Sequence, residues 1–258
     1  MSTYVKNFMK YRFLLVELVK KNIKLKYRRS YLGLVWTLIE PLLTMIVLTI
    51  VFGTLFGNKD KTFPVYILSG RLLYTFFANG TKTAMTAIRA NSGMIKKVYV
   101  PKYIYPLANV VSDFVIFLIS LIVLFAVAVI LQVKPTVYLV TLIVPLIILF
   151  VMTFAVGIIL ATMAVFFRDL EYLWSVALMI VMYTSAIFYY PDKLIDAGYG
   201  WILQGNPLYS VIVNFRNAIF GQPFDMVALG MSVGFSIIAL IVGLIMFFKQ
   251  QDKFILHL

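Results

Sequence analysis

Cysteine is absent from the 258-residue chain, and its one histidine, His257, stands next to the C-terminus. Disulfides and thiolate metal sites are therefore excluded, and a histidine or cysteine cluster for catalysis is missing. Acidic residues are scarce, ten against 23 Lys and Arg. Asp169 and Glu171 lie close together, but beside Arg168, where mutual pairing accounts for them better than a divalent metal does. The phosphate-cradling pattern G-x-x-x-x-G-K-S/T does not occur, so an ATP-driven process needs another polypeptide to bind the nucleotide. No cleavable signal peptide is expected: roughly the first thirty residues are charged throughout, with no short apolar core before a cleavage site. Internal repeats, low-complexity tracts and a second soluble domain are also missing.

What is present is apolar residue in long uncharged runs. The chain is 62% hydrophobic, where a soluble domain sits nearer half. Runs at 41–58, 114–133, 135–167, 172–191 and 226–248 each reach the length of a bilayer crossing. The run from Pro135 is read as one long helix with an apolar lead-in. A sixth stretch, 64–88, is apolar but carries Arg71 and Lys82. The expectation is an all-α integral membrane fold, one transmembrane domain over 1–258, with six spans. They fall at about 33–57, 64–88, 104–132, 137–165, 172–190 and 226–248. Asn79-Gly80-Thr81 matches a glycosylation acceptor but falls inside a span and is set aside.

The net charge of +13 is topological rather than a nucleic-acid signature. Sixteen basic residues fall on one side of the spans: nine between Lys6 and Arg29, then Arg89, Lys96, Lys97, Lys102, Arg168, Lys249 and Lys253. Five fall on the other: Lys59, Lys61, Lys134, Lys193 and Arg216. The positive-inside rule places both termini in the cytoplasm, with anionic lipid as the natural partner of the charge.

Residues 4–29 repeat with helical periodicity. Val5, Phe8, Met9, Phe13, Val16, Val19 and Ile23 form one face, and Lys6, Lys10, Glu17, Lys21, Lys24 and Arg28 the other. That predicts an interfacial amphipathic helix, or a solvated helix packed on a cytoplasmic domain. The external segment 191–224 is broken by glycine and proline yet keeps apolar runs. Short re-entrant helices fit both features, as does a surface-packed external helix.

Ionisable groups inside a bilayer are costly and become candidates for function. Glu40 and Lys82 lie about two turns from the cytoplasmic ends of the first two spans, and are expected to pair or to face one cavity. Arg71 lies in the outer half, suited to an anionic group or an external carboxylate. Asp113 is read as interfacial. Aromatic residues, 16% of the chain, mostly form interfacial belts. Others cluster: Tyr66, Tyr74, Phe76 and Phe77, then Phe188, Tyr189 and Tyr190, then Tyr199, Trp201 and Tyr209. Rings with a flat apolar face and a polar edge would let a polar polymer slide along a tunnel.

Five stretches then carry a resemblance: YRRSYLGLVWTLIEPLL (27–43), FPVYILSG (63–70), NSGMIKKVYVPKYIYPL (91–107), FFRDLEYL (166–173) and NPLYSVIVNFRNAIFG (206–221). In order and spacing, over nearly the whole chain, they resemble the permease subunits of ABC-2 type exporters of polysaccharides and polyol phosphates, the group with O-antigen and teichoic acid exporters. The resemblance implies a homodimer of six-span subunits with re-entrant helices before the last span. It implies two copies of an ABC ATPase, which bind the ATP and magnesium; the permease itself is no enzyme and holds no cofactor. Docking would run through Asn91, Ile95, Lys96, Lys97, Val98, Tyr99 and Pro101, with Arg168 and Asp169 helping. The cargo would be a glycan or polyol phosphate polymer on undecaprenyl diphosphate, its headgroup admitted near Lys26, Arg28 and Arg29. The pathway would run past Glu40, Arg71, Lys82, Tyr66, Tyr74, Phe77, Tyr189, Tyr190 and Trp201. The location would be the cytoplasmic membrane of a bacterium or archaeon.

Three positions depart from the resemblance. Such permeases often have tryptophan where Tyr74 stands, apolar residues near Arg71, and proline at Ala186. These differences bear on the cargo. Alternatives are an ABC-2 permease for a smaller lipid or drug, a membrane-embedded transferase, which lacks its acidic or histidine cluster here, and a passive scaffold or channel.

Overall fold

A computed structural model describes residues 3–28, 30–56, 60–97 and 100–257, and every regular element among them is helical. Helix α1 (Thr3–Lys26) is followed by a 3-10 turn, Gly33–Val35, that runs into α2 (Trp36–Phe56). The long α3 (Phe63–Ala90) leads to a single turn, α4 (Ser92–Ile95), and then to α5 (Ile104–Ile130). A 3-10 segment, Val137–Leu142, opens α6 (Ile143–Phe166), and α7 (Leu170–Tyr183) follows after a tight turn. Three pieces, α8 (Asp192–Asp196), α9 (Gly200–Gln204) and α10 (Pro207–Ile219), precede α11 (Met226–Gln250) and the short α12 (Phe254–His257).

Four stretches are long and apolar enough to cross a membrane: Gly33–Leu55, Ile104–Ile130, Val137–Phe166 and Met226–Leu256. The expected spans at 33–57, 104–132 and 137–165 end within two residues of these, and 226–248 ends within two residues of α11. Helix α3 has the length but carries Arg71, Lys82 and Arg89. Helix α7 is shorter than the expected 172–190, with 14 residues. Its extension fails because distant groups hold the chain beyond it. The residue before Pro191 is biased away from helix, and neighbouring side chains hold the carbonyls and hydroxyls of Thr184–Tyr189.

Helix α3 is the axis of the fold. It packs on α5 and α6, and also on α2, α7 and α10. Val65, Ile67, Leu68, Leu73, Ala84, Ala87 and Ile88 are fully enclosed. In lipid the apolar effect does not hold helices together; close packing does, and small residues allow it. Gly157 shows the fit between α6 and α3: a Cβ there would lie 2.8 Å from the Ala84 Cβ. By contrast α2 turns Leu43, Ile46, Val47, Ile50 and Leu55 outward.

Helix α1 corrects the expected apolar stripe. The face packed on the body is Tyr11, Leu14, Leu15, Leu18 and Val19, while Phe13 and Val16 point away. The packed row wins because it continues into Asn22 and Lys26, both of which meet partners on α5.

Candidate functional site

Proline at position 41 of α2 has no N–H to give the Thr37 carbonyl one turn back. Ser120 Oγ on α5 donates to that carbonyl instead, at 3.1 Å. The freed rung thus ties α2 to α5 and borders a cavity of about 350 Å³ between α2, α3 and α5. From α2 come Trp36, Thr37, Glu40 and Thr44; from α3, Arg71, Thr75, Phe76 and Asn79; from α5, Asp113, Phe117 and Ser120. Helices α3 and α5 run in opposite directions, so Asn79 and Asp113 share one end and Arg71 and Ser120 the other. On α3 the eight residues from Asn79 to Arg71 cover about 12 Å.

A polar lattice borders the cavity at Lys26 and Asp113. Lys26 Nζ donates to Asp113 Oδ1 at 3.1 Å, and Thr83 Oγ1 to Asp113 Oδ2 at 2.7 Å. Asn22 Nδ2 donates to Asn109 Oδ1, whose own Nδ2 donates to the Thr83 carbonyl, both at 2.7 Å. Asp113 is thus a buried junction of α1, α3 and α5, where an interfacial carboxylate was expected. Lys26, expected to meet a headgroup, holds this carboxylate. Burial first, then the charges of Asp113 and Glu40, raise the pKa of the Tyr27 phenol beside them, which stays a neutral donor.

Glu40 and Lys82 do not pair. Glu40 lines the cavity; Lys82 is exposed outside it, on the 71–75–79 face of α3 but almost a turn beyond Asn79. Arg71 is the cation that shares the cavity with Glu40. Its Nη1 reaches Met182 Sδ at 3.6 Å and its guanidinium lies 5.8 Å from the Tyr74 ring centre.

Tyr66, Tyr74 and Phe77, expected on a pathway wall, are core residues in this conformation. Tyr74 OH donates to the Leu178 carbonyl at 3.0 Å, and Phe77 packs on Trp174. Tyr66 OH donates to the carbonyls of Ala186 and Tyr189. Tyr189 and Tyr190 are half-buried, with Tyr190 OH on Asp60 Oδ2 at 2.9 Å, and Trp201 is exposed. The Thr62 N–H, helped by Tyr190 and the Thr62 hydroxyl, holds the Asp60 carboxyl below its usual range against the opposing effect of burial, which is second only to the Thr62 N–H.

Arg216 passes for a loop charge in the sequence, yet it is enclosed in the outer packing. Its Nη2 donates to the Tyr66 carbonyl at 2.9 Å, its Nη1 to the Ala186 carbonyl at 3.0 Å, and its Nε to Ser69 Oγ at 3.5 Å. The guanidinium stacks on the Tyr66 ring at 3.4 Å. Gly70 makes the room, since a Cβ there would lie 2.5 Å from Arg216 Nη2. Asn206 caps α10 and donates to the Thr184 and Ser185 hydroxyls. Together these groups fix the turn after α7, where Ala186 adopts φ +46°. The signal in the sequence was a charge on the Leu208–Ile212–Ile219 stripe of an amphipathic helix.

On the opposite face Lys96, Lys97, Arg168 and Asp169 are exposed. Ile95 is buried, Pro101 is half-buried, and Asn91 Nδ2 caps the Ala87 carbonyl. An ion pair between Arg89 and Glu171 joins the end of α3 to the start of α7. Arg28 is exposed beside a basic groove formed with Lys20, Lys21 and Lys24. Arg29, Val98 and Tyr99 lie outside the described residues.

Comparison with known proteins fits this arrangement. The sequence profile of the ABC-2 type transporter family matches residues 14–220. The chain is 30% identical over 257 residues to an O-antigen export system permease protein of Klebsiella pneumoniae, covering 98% of both chains. It is 28% identical to one of Myxococcus xanthus, over 85% of both. It is 22% identical to a polysialic acid transport protein of Escherichia coli, over 90% of this chain and 91% of that one.

Proposed function

Since the chain belongs to the ABC-2 type transporter family, we propose that it is the permease subunit of an ATP-driven exporter. Its cargo is a polysaccharide or polyol phosphate polymer carried on undecaprenyl diphosphate. The observation that carries this reading is the end-to-end similarity to O-antigen export permeases. In this reading α3 and α7 complete six crossings, α8–α10 re-enter the outer leaflet, and both termini lie in the cytoplasm. Two copies pair in the cytoplasmic membrane above two copies of an ABC ATPase.

The nucleotide and its magnesium sit in that partner. Lys96, Lys97, Arg168 and Asp169 are exposed to receive it. The Arg89–Glu171 pair then passes its movement to both α3 and α7. Asp113 and Lys26 make α1 move with α5, so a push on the surface helix reaches the spans. Exposed Arg28, with Arg29, meets the diphosphate before the polymer passes the outer tyrosines.

The test is reconstitution with the cognate ATPase in proteoliposomes loaded with the lipid-linked polymer. ATP-dependent transfer across the bilayer is expected, and reversing Lys96 and Lys97 to glutamate should abolish stimulated hydrolysis. Transfer or modification of the cargo by the permease alone would overturn the reading.

A further inference from the structure

We infer that the cleft between α2, α3 and α5 binds a phosphate ester of a polyhydroxylated unit, a glycosyl phosphate or polyol phosphate. Arg71 takes the phosphate, and Glu40 and Asn79 take the hydroxyls. This rests on the export reading and adds to it the chemistry of one subsite.

Of the polar side chains that line the cleft, five stand on two facing rows: Glu40 and Thr44 on α2, and Arg71, Thr75 and Asn79 on α3. Four-residue spacing puts each row on one helix face. Among the described residues, Glu40, Thr44, Thr75 and Asn79 make no side-chain hydrogen bond, and Glu40 makes no ion pair. Several other helical threonines turn back on carbonyls, as Thr54, Thr81, Thr153 and Thr162 do, while Thr49 on α2 does not. Arg71 has five N–H donors, and their one described acceptor is a thioether. The other charges at the cleft, Lys26 and Asp113, satisfy each other.

Charges left open inside a membrane are expensive; Glu40 is exposed and Arg71 half-buried at the cleft, and the two make no ion pair with each other. A bare anion meets Glu40, and a bare cation meets Arg71. An acyl chain would strand five polar groups without partners. One ligand class meets every condition: a phosphate for the guanidinium fork, and hydroxyls for the carboxylate, amide and threonines. Trp36, Phe76 and Phe117 offer apolar surface to a sugar ring's C–H face. The volume, about 350 Å³, lies in the range of small-molecule sites.

The test uses the full chain with its ATPase partner in phosphatidylcholine nanodiscs. Binding is read from the fluorescence component lost in Trp36→Phe, and independently from thermal stabilisation. The probes are glucose 1-phosphate, glycerol 1-phosphate, glucose and inorganic phosphate. The esters are expected to bind about tenfold or more tighter than glucose or inorganic phosphate, as the loss of one charged hydrogen bond predicts. Arg71→Gln should remove that preference and Arg71→Lys should keep part of it. Glu40→Gln should narrow the gap between ester and inorganic phosphate.

Phosphatidylglycerol added to the discs separates the two sources of this chemistry. Arg71-dependent competition by the lipid supports the site as one for a membrane headgroup; no competition supports it as one for a cargo unit. Equal binding of inorganic phosphate and ester, or unchanged ester binding in Arg71→Gln, overturns the inference. Export is measured on the same preparations. Export without ester binding sinks the cleft and spares the permease reading; ester binding without export does the reverse.

Discussion

Arg216 and Arg71 are both guanidiniums on helices inside the same packed body, and they have opposite surroundings. Arg216 is enclosed, with two carbonyls, a hydroxyl and an aromatic face around it. Arg71, 8 residues along α3 from its N-terminal Phe63, faces a cavity with a thioether as its nearest acceptor. The first has become part of the backbone's own hydrogen bonding, since it replaces donors that the unwound turn after α7 lacks. The second keeps its donors open. An enclosed charge whose partners are fixed and intramolecular therefore signals architecture, and a half-buried one that lines a cavity with its donors open signals a ligand site.

The largest effect that would break this contrast is in stability. Arg216→Met should cost about 3 kcal/mol or more, because it strands the Tyr66 and Ala186 carbonyls in the core. Arg71→Met should stay within roughly 1 kcal/mol. Thermal unfolding in detergent measures both; equal losses would erase the distinction. Gly70→Ala should act on the Arg216 side alone, by about 1–3 kcal/mol, since the new methyl group displaces the guanidinium. Unfolding midpoints of Gly70→Ala in the wild-type and Arg216→Met backgrounds should differ, with a smaller loss in the second.

At the cleft's border, Lys26→Met should cost about 1–3 kcal/mol by leaving Asp113 buried without its cation. Lys26→Met with Asp113→Asn should cost less than the two single losses together. Strict additivity in the same unfolding measurement would mean the pair does not interact. The smallest effect concerns Asp60. Its folded-state pKa lies below the unfolded one, so its contribution is present above the ordinary carboxylate range and is lost as pH falls through the lowered value. Acidification into that window should release the Tyr190 contact, and Asp60→Asn should flatten the acid limb of a Tm-against-pH curve.

How much of this was legible in the sequence follows from what hydropathy measures. It reports contact with lipid, so α5, α6 and α11 were bounded to within a few residues. It ranks α3 low for its charges, although α3 is the most enclosed helix and α2, with an uncharged run, among the least. Azimuth was harder to read. The outward row of α1 and its packed row are both apolar, and only the polar residues on them decide between the two. Asn22 and Lys26 match Asn109 and Asp113 at the same four-residue spacing, a correspondence visible once the helices are paired and ambiguous before. Equal distance from the cytoplasmic ends suggested that Glu40 and Lys82 meet, but Lys82 stands almost a turn beyond the stretch of α3 that faces Glu40 across the cavity, so counting residues from each end did not fix the level. The end of α7 was missed because the groups that stop it come from α3 and α10, more than twenty positions away in the chain.

The rung that Pro41 leaves open has a mechanical meaning. A rod missing one internal bond bends there at little cost, so the opening turn of α2, with the 3-10 segment before it, can tilt against the rest of the helix. Ser120 is the pivot that keeps that turn attached to the bundle. A shove arriving at the surface helix is thereby free to swing the opening turn while the long remainder of α2 stays still.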